Sequence, residues 1–542
     1  MEPLFALVVA TAISMAIIPV MWRLAPRLGL LDKPAPRKVH TTAVPRVGGW
    51  GIVPGALIPL VLLLRLDPTT KSYVLGGAVL FAFGLWDDVK EVSHYKKFIG
   101  QFIAVSLVVF YGGLWIERAP FIGDSALAPV AGIALTYFAI VGMINAINHS
   151  DGLDGLAGGE SMLSLIVLAF LAYTVEGIQA LLVAVSTIGG ILGFLRYNTH
   201  PARVFMGDTG SQFLGFTLGF LAVFVTQRVH TALSPAVTLL FLGLPVIDII
   251  AVLIQRIYHK MNWFRGTRNH IHHRLLDLGF NHDETVVIIY GIQACFVISA
   301  ILLRYESDWV ILWVYLVAVV AIFGTLIAAE RSGWRRRQEG AMRSPVTAIL
   351  DLTAEHAIFR RYPYYAIAWT VPLYVLGLSL FVHDVPRDFA VTSAVLGAVL
   401  LVELLLGRQP VTFPMRGATY VAIVFAAYLG SQDEALRTTG FLEGAFFALM
   451  AIAIGLTVRY ADDQRFRTTP MDYLILAGVA TAAVFGQGQF EMKEVSLLIV
   501  RAVILLYACE LILERTFSRW SLLNIASTVT LAVFAYKGLI AA

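Results

Sequence analysis

The sequence predicts an all-α polytopic membrane protein, a transmembrane helical bundle with about 18 spans. Of its 542 residues, 58% are apolar and only 14% are charged, whereas about a quarter of the residues of a soluble domain are charged. Mostly apolar stretches such as 4–18, 74–83 and 239–247 recur along the whole chain. A 12% share of aromatic residues agrees with the Trp and Tyr belts found at membrane interfaces.

The apolar stretches divide the chain into three parts. We expect a first transmembrane bundle over 1–330, a basic linker over 331–363 and a second bundle over 364–542. The first is predicted to hold eleven spans, near 3–22, 48–65, 72–86, 98–116, 126–147, 157–175, 177–195, 210–226, 233–255, 285–303 and 309–329. The second is predicted to hold seven, near 365–382, 389–407, 417–430, 441–458, 471–487, 495–513 and 520–537.

The placement of basic residues predicts the orientation. Lys and Arg concentrate in alternate loops, which marks those loops as cytoplasmic and leaves both termini outside. The chain starts with Met-Glu-Pro and has no basic segment before the first apolar stretch, so that stretch is expected to be a span rather than a cleaved signal. The net charge of +4 is small, and no nucleic-acid partner is expected.

Four polar clusters fall at cytoplasmic span ends under this orientation. They are WDDVK at 86–90, NAINHSDGLDG at 145–155, FMGDTGS at 205–211 and NHIHHR at 269–274. Together they supply carboxylates, amides and histidines over a bed of apolar helices. This set suits a magnesium ion acting on phosphates, because Mg²⁺ takes oxygen ligands and phosphoryl transfer needs mainly positioning and charge neutralisation.

Each cluster also has a structural interpretation. Asp87 and Asp88 could be solvated acids at a helix end. The GDTGS segment could form a turn and helix cap, which would still leave Asp208 able to bind a metal. The histidines could bind zinc, although no Cys or spaced second pair accompanies them. The 145–155 segment is hardest to explain structurally, because so many desolvated polar groups are costly without a ligand.

The clusters resemble the polyprenyl-phosphate N-acetylhexosamine-1-phosphate transferase family, also called glycosyltransferase family 4. The resemblance covers residues 1–330 and makes them a sugar-1-phosphate transferase core. It is carried by DD at 87–88, NAINHSDGLDGLAGG at 145–159, FMGDTGS at 205–211 and HIHHRLLDLG at 270–279, with RKVHTTAVPRVGG at 37–49. The family includes enzymes that begin O-antigen, enterobacterial common antigen and teichoic acid linkage units, and the lipid-I-forming transferase of peptidoglycan.

The resemblance implies a role for each motif residue. Asn148 and Asp208 would bind Mg²⁺, with Mn²⁺ as an alternative ion. Asp87 and Asp88 would lie at the lipid phosphate, with Asp87 either a base or an orienting group. The other expected catalytic acids, Asp151 and Asp154, would line the nucleotide pocket, with Asp154 near the uracil. The remaining substrate-binding residues would be Lys38, Arg46, Asn145, His270, His272, His273 and Arg274.

The implied reaction joins a UDP-N-acetylhexosamine to undecaprenyl phosphate and releases UMP. HIHHR resembles the GlcNAc-type branch, so we expect GlcNAc 1-phosphate to be transferred at the bacterial inner membrane, as the first membrane step of cell-wall or lipopolysaccharide synthesis. A UDP-MurNAc-pentapeptide transferase is the alternative, as is a non-catalytic flippase or scaffold for lipid-linked sugars. The intact acids speak against the scaffold. A homodimer is left open.

The second bundle has no counterpart in the resemblance, and its role is left open. Glu403, Glu510 and Arg501 lie in its predicted spans. Ionisable residues within a membrane are functional candidates. The alternative is that they lie near span ends and extend to the interface.

Overall fold

A computed structural model of the chain describes residues 2–32, 43–64, 67–90, 92–123, 125–258, 260, 269–336, 357–407, 412–433, 440–459, 490–515 and 518–539. The described residues before 338 form one compact unit, and those after 339 form a second. The transferase core, linker and extension expected from the sequence, with bounds at 330 and 363, remain predictions about function.

The first unit is built from helices, with one short pair of strands near its start. The strands β1 (Leu31–Asp32) and β2 (Val44–Pro45) are antiparallel. The helices are α1 Glu2–Leu28, α2 Gly48–Leu63, α3 Pro68–Lys90, α4 His94–Ser106, α5 Pro129–Ser150, α6 Leu156–Tyr173, α7 Ile178–Asn198, α8 Gly207–Phe224, α9 Thr238–Phe241, α10 Gly243–Tyr258, α11 Ile271–Asp277, α12 His282–Leu302 and α13 Asp308–Arg331.

The described part of the second unit is helical. Its helices are α14 Ala357–Phe381, α15 Arg387–Leu406, α16 Phe413–Gln432, α17 Gly440–Arg459, α18 Phe490–Glu514 and α19 Leu522–Leu539. An apolar cluster of Leu400, Leu404, Met415, Ala418, Ala422 and Leu531 joins α15, α16 and α19. Arg416 pairs with Glu510 at 2.6 Å, and Arg501 pairs with Glu443 at 2.8 Å. Glu510 and Arg501, two of the expected functional candidates, therefore each have a partner of opposite charge.

The all-α, multi-pass membrane class is confirmed, but the number of 18 spans is not. Eleven helices in the described residues are long and apolar enough to cross a membrane, or twelve if the pair Pro235–Phe241 and Gly243–Tyr258, bent by 85°, is one span. The helix in the predicted span 48–65 has only 16 residues. The predicted span 98–116 is a 13-residue helix followed by a short π-helical turn, Leu107–Tyr111. The predicted span 471–487 lies outside the described residues.

Helix α8 forms the centre of the first unit, and α2, α3, α5, α6 and α7 pack around it. Glycines allow its neighbours to come close. A Cβ on Gly84 of α3 would lie 2.5 Å from the Cα of Thr209, and one on Gly215 of α8 would lie 2.5 Å from the Cα of Ile144 on α5. Small residues at such crossings let membrane helices approach closely. The polar ends of α3, α5 and α8 are thereby brought together.

Candidate active site

A lysine bridges two carboxylates where α3, α4 and α8 meet. Asp87 lies near the end of α3, and Asp208 lies in the first turn of α8. Nζ of Lys97, on α4, lies 2.6 Å from Oδ2 of Asp87 and also contacts the Asp208 carboxylate. Burial lowers the pKa of Lys97, but Asp208 and Asp87 together outweigh burial and raise it. Lys97 therefore carries a positive charge between two acids.

Asp88 is bound to the start of α8. Its Oδ1 accepts a hydrogen bond from the Asp208 backbone N–H at 2.8 Å, and its Oδ2 accepts from the Thr209 hydroxyl at 2.5 Å and the Thr209 N–H at 3.2 Å. A carboxylate at this position satisfies N–H groups that have no partner within the helix. In this arrangement Asp88 orients the turn that carries Asp208.

Asn148 connects the end of α5 to the same turn. Its amide nitrogen donates hydrogen bonds to Oδ1 of Asp208 and to the Ser211 hydroxyl, each at 2.8 Å. Asn145, nearly one helical turn earlier, donates to Oε1 of Gln101 at 3.0 Å. The structure thus brings together Asn148 and Asp208, the two residues that the resemblance implies as metal ligands, and places Asn145 against α4.

The groups around Asp208 fit a hard divalent cation. Asp87 and Asp208 present carboxylate oxygens to one ammonium group, and the Asn148 amide lies within hydrogen-bond distance of Asp208. Mg²⁺ prefers oxygen ligands and often takes only one or two from protein, the rest coming from water and substrate phosphates. Turning over the Asn148 amide, whose nitrogen now donates to Asp208, would offer its oxygen to the same ion.

The segment between α5 and α6 holds two acids in different environments. The Asp151 carboxylate has no hydrogen-bond or ion-pair partner among the residues that the structure describes. Burial, followed by the negative charges of Asp208 and Asp154, raises its pKa to about 7. Oδ2 of Asp154 accepts from the Ala202 N–H at 2.9 Å and lies 2.9 Å from Nδ1 of His200. Although burial raises the pKa of Asp154, the hydrogen bonds from His200 and Ala202 lower it overall.

The histidine segment is anchored by an acid on α10. Oδ2 of Asp248 lies 2.6 Å from Nδ1 of His270, and Oδ1 accepts from the Ile271 N–H at 2.9 Å. The His270 ring stacks on His149, at the end of α5, with centroids 5.6 Å apart. The His270 ring is therefore held beside the end of α5.

The other residues of this segment have different surroundings. A Cβ on Gly152 would lie 2.3 Å from Nε2 of His272, so His272 packs directly on the 151–154 segment. Burial, followed by the charge of His273, lowers the pKa of His272 to about 3, which keeps the ring neutral. His272 and His273 lie 4.2 Å apart between ring centroids. Arg274 is bound to Glu330 at 2.7 and 2.8 Å.

The first predicted cytoplasmic loop is described in part. The Arg46 guanidinium contacts the Asp32 carboxylate. The Phe205 N–H donates to the carbonyl of Pro45 at 2.8 Å, which attaches β2 to the segment that leads into α8. Arg46 therefore lies beside that segment. Lys38 falls outside the described residues.

The sequence analysis overlooked three residues that shape the site. Lys97 bridges Asp87 and Asp208, whereas its neighbour Lys96 lies over the Trp86 ring at 4.8 Å, and no local pattern distinguishes the two lysines. Thr209 was part of a quoted motif but was given no role. Asp248 had a usable signal, because it is a lone acid within the apolar stretch 243–254.

Comparison with known proteins finds similarity to one family. The family model described as glycosyl transferase family 4 matches residues 71–226. The chain is 34% identical over 334 residues to the probable undecaprenyl-phosphate N-acetylglucosaminyl 1-phosphate transferase of Bacillus subtilis, covering 60% of this chain and 92% of that protein. It is 32% identical over 347 residues to the decaprenyl-phosphate N-acetylglucosaminephosphotransferase of Mycobacterium tuberculosis strain H37Rv, covering 57% and 85%. It is 30% identical over 307 residues to the undecaprenyl-phosphate alpha-N-acetylglucosaminyl 1-phosphate transferase of Escherichia coli K12, covering 55% and 83%.

Proposed function

Because this chain belongs to glycosyl transferase family 4, we propose that it transfers N-acetylglucosamine 1-phosphate from UDP-N-acetylglucosamine to undecaprenyl phosphate and releases UMP. The names of its relatives in three bacteria support this transfer to a polyprenyl phosphate. The observation that carries the proposal is the convergence of Asp87, Lys97, Asn148 and Asp208 at one end of an apolar helix bundle. Such a site can meet a charged nucleotide sugar on one side and a lipid phosphate on the other.

The reaction is a displacement at phosphorus. An oxygen of the lipid phosphate attacks the β-phosphorus of the UDP-sugar and forms a new P–O bond. The bond between that phosphorus and the oxygen bridging to the α-phosphorus breaks, and UMP leaves with this oxygen and the electron pair. Phosphoryl transfer of this kind depends on positioning and on offsetting charge more than on covalent help from the protein.

The residues around Asp208 divide this work. Lys97 offsets negative charge on the phosphates, and Asp87 either orients the lipid phosphate or accepts its proton. Asp88 holds the turn that carries Asp208. A Mg²⁺ ion bound by Asn148 and Asp208 would supply further charge neutralisation at the pyrophosphate.

The other two segments serve the donor. Asp151 and Asp154 line the part of the site that holds the nucleotide. Arg46 and Lys38 contact the phosphates of the UDP-sugar. His270, His272 and His273 contact the sugar and diphosphate, and Asp248 orients His270. Arg274, which also pairs with Glu330, is the remaining residue of this segment that contacts the donor.

The chain is a multi-pass membrane protein. The proposal places it in the bacterial inner membrane with the site on the cytoplasmic side, where UDP-sugars are made, and with both termini outside. The reaction would be the first membrane step of a cell-surface glycan.

The test uses purified full-length protein in detergent with undecaprenyl phosphate, Mg²⁺ and a panel of UDP-sugars. We expect UMP release and a lipid-linked product with UDP-N-acetylglucosamine, and abolition of both by excess chelator. If UMP is released from none of the UDP-sugars, the proposed function is wrong. If UDP-MurNAc-pentapeptide is preferred, the donor is that nucleotide sugar and not UDP-N-acetylglucosamine.

Asp208→Ala tests the metal ligands. We expect it to lower turnover by more than about 100-fold. Even the loss of a group that only supports a metal ligand lowers metal affinity or activity by about 10–100-fold. Asp308→Ala is the control, because Asp308 likewise lies in the first turn of a helix, α13, and is outside the candidate site. It should retain turnover below its own melting temperature. Full activity of Asp208→Ala would exclude Asp208 as a metal ligand.

A further inference from the structure

A second group of ligating side chains lies in the first unit, formed by Asp154, His200 and His282. We propose that these three residues bind a transition-metal dication of the zinc class, at a site different from that of Asn148 and Asp208. One carboxylate oxygen and one nitrogen from each imidazole all lie within 4.8 Å of one another. It is the only such group of three among the residues that the structure describes.

Three separate segments supply the ligands. Asp154 lies between α5 and α6, His200 follows α7, and His282 begins α12. Nδ1 of His200 lies 2.9 Å from Oδ2 of Asp154, and Nε2 of His282 lies 3.2 Å from the Asp154 carbonyl oxygen. The two rings stack with centroids 3.9 Å apart. Ligand atoms around a tetrahedral zinc lie about 3.4 Å apart, so rotations of the side chains suffice to surround an ion.

The ligand types select the metal. Two imidazoles and one carboxylate suit zinc, copper or nickel, whereas Mg²⁺ favours oxygen ligands alone. The oxygens around Asp208 therefore suit a different ion. His200 is exposed and the other two ligands are half-buried, so solvent can reach the group and provide a fourth ligand.

Neighbouring groups support a cation at this position. The Ala202 N–H holds the Asp154 carboxylate at 2.9 Å. Oδ1 of Asp283 and Nδ1 of His282 are buried and have no hydrogen-bond partner among the described residues. A buried acceptor without a donor is unfavourable, and a nearby dication would offset that cost. Asp283 also acts electrostatically on His200 and favours positive charge there.

A simple ion pair between His200 and Asp154 is the competing explanation. The second unit contains such a pair, in which Nδ1 of His383 lies 3.2 Å from Oδ2 of Asp433. No third metal ligand accompanies that pair among the described residues. His383 therefore provides a matched control.

Metal binding has a consequence that rests on the proposed function. Asp154 lies in the segment proposed to hold the nucleotide, and a bound zinc ion would occupy its carboxylate. Zinc and the UDP-sugar should then exclude one another, each lowering the affinity of the protein for the other. We expect zinc to inhibit the transferase competitively with the UDP-sugar.

The first test measures binding to the full-length protein in detergent, without substrate. Zn²⁺ is titrated by calorimetry, and Co²⁺ by its visible absorption. We expect His200→Gln and His282→Gln each to weaken binding by at least about tenfold, given that residues merely supporting a ligand are worth about 10–100-fold. His383→Gln should bind as the unchanged protein does. Affinity should rise with pH, because an imidazole must give up its proton to bind a metal.

Absence of binding, binding that survives both substitutions, or equal loss in His383→Gln would overturn the metal site. The second test measures inhibition of UMP release by Zn²⁺ at saturating Mg²⁺, each variant being compared with its own uninhibited rate. The inhibitory concentration should rise with added UDP-sugar and should be at least about tenfold higher in His200→Gln. Binding without turnover would contradict only the proposed function, whereas turnover without binding would contradict only the metal site.

Discussion

Asp87 and Asp88 are adjacent acids with different surroundings. Both carboxylate oxygens of Asp88 accept hydrogen bonds from the first turn of α8, whereas Asp87 contacts Lys97 and accepts from the Val92 N–H at 2.8 Å. Asp87 is therefore the acid of the pair that faces the basic centre of the site. We therefore expect Asp88 to affect the chemistry through the placement of Asp208.

This difference predicts the effect of Asp88→Asn. An amide has a single acceptor oxygen, so at least one bond to α8 is lost and Asp208 shifts. We expect the turnover number to fall by about 10–100-fold, a typical effect for a supporting residue. The dissociation constant for the UDP-sugar, measured by calorimetry, should change much less.

Asp67→Asn is the control for this substitution, because Asp67 accepts from the Thr70 N–H at the opposite end of α3. It should leave turnover unchanged. Complete loss of UDP-sugar binding in Asp88→Asn would mean that the two acids bind the donor and not the lipid phosphate.

His272 predicts a dependence of stability on pH. Its pKa is lowered to about 3 by burial, so the folded protein keeps it neutral while the unfolded chain binds a proton below about pH 6.5. Stability is lost as pH falls from that value towards 3, by roughly 2 kcal/mol at pH 5. His272→Gln, which cannot be protonated, should lose less stability between pH 8 and pH 5. Melting curves in detergent measure this, with exposed His383→Gln as the control, and equal acid sensitivity would contradict the neutral ring.

At the level of elements, the crossing of α3 and α8 sets the geometry of the site. We predict that Gly84→Ala forces these helices apart, since the new Cβ would lie 2.5 Å from the Thr209 Cα. Overpacking of this kind costs about 1–3 kcal/mol. It should also separate Asp87 and Asp88 from Asp208 and reduce UMP release.

Gly142→Ala on α5 is the matched control, because nothing lies within 4 Å of its added Cβ. It should retain activity and be as stable as the unchanged protein or slightly more so, because Ala is the better helix former. Melting temperature and UMP release are measured for both variants. Equal behaviour of the two would show that the α3–α8 distance does not limit activity.

For the whole molecule, the question is what the second unit contributes. All the candidate site residues lie before 330. The alignment to the Bacillus subtilis relative uses 60% of this chain yet covers 92% of that protein. A transferase of this kind therefore does not need a counterpart of the remaining 40%.

We predict that the chain truncated after Ser344 still inserts, stays monodisperse in detergent and releases UMP. The full chain is the control. If the first unit alone exposed polar groups that lipid cannot satisfy, the truncated protein would aggregate instead of staying monodisperse. A truncated protein that is folded but inactive would mean that the second unit contributes to catalysis.

Composition and local motifs were enough to predict the membrane class, the apolar helices of the first unit and the four polar segments. The physical reason is that the free energy of inserting a stretch into a bilayer depends on the residues of that stretch alone. The chemical groups of a motif can likewise be read directly from its residues. Span number was less predictable, because it depends on where helices end. The apolar run 238–258 is divided by a sharp bend after Phe241, and the apolar α2 has only 16 residues.

Only the tertiary structure decided which side chains work together. In the structure Lys97, and not Lys96, contacts Asp87, and Asp88 accepts hydrogen bonds from the first turn of α8. Arg274 pairs with Glu330, and Asp154 lies beside His200 and His282. Apart from Lys97 and Asp87, which are close in sequence, these partners lie 46 to 128 residues apart. These partners come together because small residues such as Gly84 allow the helices to cross closely. The sequence shows where such small residues lie, but it does not show which helix packs against them.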